Sequence, residues 1–173
     1  MSSRFCEFWC RNWEAPEKAD GSGFGAEGWR QGVKKFERTV EIAVPVKAAW
    51  KILQDVERWP GWTESMARVE LRSPPPCTVG TKVWIEQPRL KPGLWTITSW
   101  DADDGFTWEQ RQFGLHIVGD HRLRSSATGC RLTLQLQFEG MLSAVVSWFG
   151  QGIINRYLDL EAAGFRHRCK QVA

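Results

Sequence analysis

The chain has 173 residues, 25% of them charged, with a formal net charge of +3. That length fits one domain, with or without an appendage, and at this size roughly 70% of the unfolded surface is buried, so neither disulfides nor a structural metal is needed. The small, scattered positive charge gives no field for tracking phosphates and argues against a nucleic-acid partner; its densest cluster, Lys34, Lys35 and Arg38, reads as a solvated strand edge.

Residues 1–34 differ in composition from everything after them, being rich in Gly, Glu, Ala and Lys with no sustained period. They read as a flexible leader with a short helix around 5–13, or else as an over-long start. Within it, Gly23, Gly25 and Gly28 match the spacing of a dinucleotide fingerprint, but no buried strand feeds the motif, so it carries no phosphate site. Cys6 and Cys10 are half a metal site without a histidine nearby in sequence. The five cysteines (Cys6, Cys10, Cys77, Cys130, Cys169) are odd in number and widely spaced, which points to free thiols in a reducing, cytoplasmic compartment. The first thirty residues hold no apolar run of the signal-peptide type, and the most apolar later stretch, 141–154, is polar-interrupted and too short for an integral membrane segment of about 20 residues.

The domain is expected over residues 35–173. Its first strand, 36–44, ends at Pro45, which lacks an N–H and hands the chain to a helix starting near Val46. Ala49, Trp50, Leu53 and Val56 recur at helical spacing, and a short second helix closes at Trp59-Pro60-Gly61-Trp62. Six strands follow, at 66–73, 80–87, 93–101, 105–113, 115–125 and 129–139, joined by Pro- and Gly-containing turns short enough to force antiparallel pairing. The last strand alternates most cleanly, with Leu132, Leu134, Leu136 and Phe138 on one face and Arg131, Thr133, Gln135, Gln137 and Glu139 on the other. A closing helix over 142–168 carries Leu142, Val145, Val146, Phe149, Ile153, Tyr157 and Leu160 as its stripe. Gly150 and Gly152 in its middle mark a bend, a close contact or merely tolerated glycines there.

Several short segments carry a family resemblance: Asp55-Val56-Glu57-Arg58-Trp59-Pro60-Gly61-Trp62, Val79-Gly80-Thr81-Lys82-Val83, Gly105-Phe106-Thr107-Trp108, Gly119-Asp120-His121-Arg122-Leu123 and Phe138-Glu139-Gly140. In order and spacing the chain from about 35 to 170 resembles the START-related helix-grip superfamily (SRPBCC), in its polyketide cyclase/dehydrase-like branch. The resemblance implies an α+β helix-grip fold: a seven-stranded curved antiparallel sheet wrapped on a long C-terminal helix, with two short helices after the first strand. It also implies a cavity between sheet and helix, used within the superfamily for polyketide cyclisation, lipid or quinone carriage, or small-ligand binding. The leader has no counterpart in it.

Alternation selects the residues that face such a cavity. With Leu123 inward, Ile117, Gly119 and His121 share its side of the strand and His116 points away. His116 and His121 therefore cannot chelate one ion, and no metal or other cofactor is expected. His121 is the one titratable group placed at the pocket, as a ligand-orienting residue hydrogen-bonded to backbone or to Gln110, or as a general acid/base. On the strand before it, Trp108 and Gln110 face in, while Glu109 and Arg111 form an outer pair. Trp62, Val83, Ile85, Trp95 and Ile97 are wall residues, and Phe149, Ile153 and Tyr157 face them from the helix. The eleven tryptophans suit a flat or apolar ligand. The chain is thus expected to bind a small hydrophobic or aromatic molecule as a monomer or homodimer. The alternatives are a cyclase or dehydratase using His121, and a stress-chaperone-type interaction module using Trp84 and Trp100 on the outer face. No nucleophile constellation or phosphate loop is present in the sequence.

Overall fold

The computed structural model describes residues 33–112 and 114–172, with the helical segment 144–149 described by its backbone alone. The leader's proposed helix, its glycine motif, Cys6 and Cys10, and the side chains of Val145, Val146 and Phe149 lie outside the described residues. The elements run β1 (Lys34–Ile42), α1 (Val46–Leu53), a 3-10 turn (Val56–Gly61), β2 (Arg68–Leu71), β3 (Lys82–Glu86), β4 (Gly93–Asp101), β5 (Gly105–Gln112), β6 (Leu115–Ser126), β7 (Gly129–Gly140) and α2 (Ser143–Gln171). Seven strands form one antiparallel sheet in the order β1-β7-β6-β5-β4-β3-β2, curved around α2, as expected. Every sheet neighbour after β1 is also a sequence neighbour, and the first strand closes onto the last.

Pro45 sits at the N-cap of α1, whose buried side is Ala49, Trp50 and Leu53. The 3-10 turn then drives Trp59 fully into the core, where its indole N–H donates to the Leu53 carbonyl at 3.0 Å. That bond satisfies a buried donor and fixes the turn against α1. The inner face of the sheet supplies Val83, Ile85, Ile97, Phe106, Leu123, Leu132 and Leu134, all buried. Cys77, Cys130 and Cys169 are free thiols, and burial pushes the Cys169 thiol up to about 12.

Two expectations need correction. The buried face of α2 is Ile154, Leu158, Ala162, Phe165 and Cys169, with Ile153 and Tyr157 only partly covered. Helical spacing fits either set, and packing against the curved sheet selects the second. Trp100 is not on the outer face. A bulge between Ile97 and Ser99 inserts one residue into β4. One extra residue reverses which face follows. Trp100 therefore turns inward, stacked on Phe106 at 5.4 Å and edge-on to Trp50 at 5.1 Å. Trp84 does stay outside, donating to Glu86 with the Arg72 guanidinium over its ring.

Arg38 is not a bare edge residue: from β1 it reaches Asp159 at 2.5 Å and Asn155 at 3.1 Å, both on α2. The helix also meets the chain before β2. A Cβ added at Gly164 would lie 2.1 Å from the Trp62 carbonyl oxygen, so only glycine lets the backbones come this close. Gly152, by contrast, faces open space, so no close contact explains it. Opposite effects follow for two similar changes. Gly164→Ala should cost about 1–3 kcal/mol through overpacking, and Gly152→Ala should gain about 0.5–1 kcal/mol through helix propensity. Urea unfolding of the two variants would check both signs.

Candidate functional site

The site is built around the Trp59 ring. Trp62, Trp108 and His121 lie 5.2, 5.4 and 5.2 Å from it by ring centroids, and Phe106 lies 6.1 Å away. The His121 imidazole stacks on Phe106 at 4.6 Å and 18° and meets Trp108 edge-on at 5.1 Å. Trp95 extends the wall behind Trp108, and Phe165 of α2 closes on Trp62. These aromatics come from the 3-10 segment, β4, β5, β6 and α2. Only the fold brings them together.

Two glycines make room for the large inward side chains. At Gly119 a Cβ would sit 2.4 Å from the Trp108 indole nitrogen, so the indole lies directly over the β6 backbone. At Gly93 a Cβ would sit 1.6 Å from the Gln110 amide nitrogen, so this buried amide occupies the space a side chain would fill.

His121 has a partner that sequence reasoning missed. Its Nε2 lies 3.0 Å from Oε1 of Glu161 on α2, and both side chains are at least nine-tenths buried. The partner is thus Glu161, not Gln110. A buried carboxylate is tolerated only when paired and hydrogen-bonded. With Glu161 ionised and accepting, the proton of this bond belongs to His121 Nε2. The other ring nitrogen, Nδ1, is buried with no partner, and so is the Trp62 indole N–H. Leaving such an atom unsatisfied costs about 1–3 kcal/mol. The signal for Glu161 was present in the sequence. It falls inside the arc of Leu158, Ala162, Phe165 and Cys169, where a carboxylate has no business unless it is paired.

Of the expected wall residues, Val83, Ile85, Trp95, Ile97, Trp108 and Gln110 are buried on the inner face, and Trp62, Ile117 and Ile153 pack partly covered against the core. Tyr157 donates its hydroxyl to the Pro88 carbonyl in the loop between β3 and β4. A separate surface depression of about 460 Å³ lies beside Pro45, Asp104 and Arg124 and includes none of these residues. Among the described residues no His, Cys, Asp and Glu group is placed to hold a metal ion.

On the outer face, His116 bridges Glu109 (2.8 Å) and Glu139 (3.0 Å), joining β5, β6 and β7. Partial burial raises the Glu109 carboxyl, but hydrogen bonds from His116 and Thr98 and the nearby His116 and Arg111 charges outweigh it, leaving the group below its ordinary 4.5.

This architecture is a helix-grip domain. Over residues 33–173 the chain matches the polyketide cyclase / dehydrase and lipid transport family and belongs to it. Among solved structures it resembles the Zhui aromatase/cyclase from a Streptomyces species, with TM-score 0.66 and 15% identity over 81% of this chain and 95% of that one. A START superfamily protein from Mycobacterium smegmatis gives TM-score 0.63 and 13% identity, covering 80% of this chain and 99% of the other. Likeness at such identities shows the fold alone. An uncharacterized protein of Mycobacterium tuberculosis is 28% identical over 102 residues, covering 57% of this chain and 61% of that protein's length. Family and fold agree: this is a helix-grip domain of the polyketide cyclase / dehydrase and lipid transport family. No described helix is long and apolar enough to cross a membrane.

The lowered Glu109 carboxyl has a consequence for stability. A depressed folded pKa stabilises the protein above the unfolded value and loses that contribution as pH falls. Wild type should therefore be more stable than Glu109→Gln at neutral pH, with the gap closing as pH drops below 4.5. Urea unfolding at a series of pH values measures it; a gap unchanged by acid would contradict the assignment.

Proposed function

We propose that this domain binds one small, largely apolar or aromatic molecule between the inner face of the sheet and α2, with His121 as its polar contact. The observation that carries this reading is the buried, unpartnered Nδ1 of His121 in a wall of aromatic rings. Glu161 holds the imidazole from behind, so Nδ1 is aimed and ready. The wall itself, Trp62, Trp95, Trp108 and Phe106, offers flat apolar surface. Three unpaired cysteines support a cytoplasmic setting.

One observation favours a second reading, an acid–base enzyme of the cyclase or dehydratase kind. A histidine backed by a buried carboxylate is oriented and stabilised when it takes a proton, which is what general base catalysis asks of it. On this reading His121 moves the proton at Nδ1, and Glu161 positions it without touching the substrate.

Native mass spectrometry of the purified protein should show a co-purifying small molecule. His121→Ala should then weaken its binding by about 0.5–1.5 kcal/mol. A protein that emerges empty, and takes up no apolar compound from a panel, contradicts the binding reading. The enzyme reading expects more: turnover of an aromatic polyketide precursor that falls about 10²–10⁴-fold in His121→Ala. It also expects turnover to fall in Glu161→Gln with affinity little changed. Turnover that survives both changes removes it.

A further inference from the structure

Among the described residues, two of the buried side-chain atoms without a hydrogen-bond partner sit on rings that flank Trp59: His121 Nδ1 and the Trp62 indole nitrogen. Each ring has its centroid 5.2 Å from that of Trp59. Trp59 competes for neither atom, because its own N–H is already bonded to the Leu53 carbonyl. One turn of α2 fixes the two rings from the other side. Glu161 holds His121 through Nε2 at 3.0 Å, and Phe165, four residues on, meets the Trp62 ring at 5.6 Å. Between them, Gly164 lets the helix close on the Trp62 carbonyl. His121, Glu161, Phe165, Trp62 and Trp59 thus form a closed circuit of contacts, and two of its members carry an unsatisfied polar atom.

The two atoms are opposite in kind. The indole nitrogen carries a hydrogen and can only donate. With the Nε2 proton directed at Glu161, Nδ1 presents a lone pair and can only accept. A carbonyl or ether oxygen would answer Trp62 and leave His121 without a partner. A carboxylate or phosphate brings no donor to Nδ1, and its charge would be buried among aromatic rings near the Glu161 carboxylate. A hydroxyl donates and accepts through one oxygen, so it answers both.

We propose that Trp62 and His121 form one subsite for a neutral hydroxyl on an otherwise apolar ligand. Its O–H donates to His121 Nδ1, and its oxygen accepts from the Trp62 N–H. The inference rests on the ligand reading of the preceding section and adds the class of molecule: a phenol or alcohol, in preference to a carboxylate, an ether or a plain hydrocarbon. Trp62 is then a specificity residue as well as a wall. Packing on Trp59 and α2 already fixes both rings, so neither side chain loses much freedom when the hydroxyl arrives.

The test uses the full chain and three probes of similar shape, 2-naphthol, 2-methoxynaphthalene and naphthalene, with affinities read by equilibrium dialysis. 2-Naphthol should bind roughly 5- to 100-fold more tightly than naphthalene, the range two hydrogen bonds support, with the ether between them. Trp62→Phe keeps a ring and removes the N–H; it should weaken naphthol and ether alike, roughly 2- to 10-fold, and leave naphthalene unmoved. The double variant His121→Phe with Glu161→Leu removes the pair together and strands no charge; it should close the gap between naphthol and ether. The naphthol–ether comparison needs only the wild type, so a variant that fails to fold does not blunt the test. Three equal affinities, or an ether that matches naphthol, overturn the hydroxyl subsite and leave the apolar site standing. If none of the three binds, the ligand reading fails and the subsite with it.

Discussion

The buried pair of His121 and Glu161 is the interaction that sets the helix against the sheet. Neither group tolerates the interior alone, since removing one partner strands the other, typically at 3–5 kcal/mol when the survivor is charged. The pair therefore fixes the rotation of α2 about its axis. With Glu161 inward, Leu158 and Phe165 flank it toward the core. Tyr157, four residues earlier, lies one turn up on the same side, where it meets the Pro88 carbonyl. A single buried contact thus decides which helical residues fill the core and which reach the loop.

Shape complementarity near this pair is achieved by subtraction. Gly119, Gly93 and Gly164 each give up a side chain to something specific: the Trp108 indole, the Gln110 amide and the Trp62 carbonyl. The first two lower the floor of the sheet so that large side chains lie flat against it. The third draws α2 toward the end of the 3-10 segment, which carries Trp59 and Trp62. Without these approaches the aromatic rings would stand off from one another, and the imidazole would lose the faces that enclose it.

Much of the fold was legible because strand period and turn chemistry act locally. Pro45 before α1, the alternation of β7, and the turns that separate the strands all state their structure within a few residues. The strands were placed within two residues at each end, β2 included. What failed depended on a neighbour. The bulge after Ile97 is a property of the β4–β5 pair and leaves no mark in the spacing of β4, so Trp100 was assigned to the wrong face. In α2, two arcs of apolar residues fit the helical period equally well, and only the sheet chooses between Tyr157 and Leu158 for the core. His121 was legible by alternation along its strand. Glu161 was missed, because its place inside the arc of Leu158, Ala162, Phe165 and Cys169 tells only once the sheet has selected that arc, and its partner lies 40 residues away.

The difference between carrier and enzyme narrows once the surroundings of His121 are considered together. The imidazole is stacked on Phe106 and meets Trp59 and Trp108 at steep angles, and the Glu161 carboxylate lies at its Nε2. In both proposed readings these surroundings fix the ring and leave Nδ1 as the atom that meets the bound molecule. No rearrangement of the protein separates the two roles. Under the two proposed readings the deciding variable would be the bound molecule: a ligand with an ordinary hydroxyl would offer Nδ1 a hydrogen bond and stay intact, whereas one with an acidified carbon–hydrogen bond beside a carbonyl would give up the proton. On this view the helix-grip frame and its buried pair are fixed, and the apolar wall that selects the ligand determines whether binding ends in chemistry.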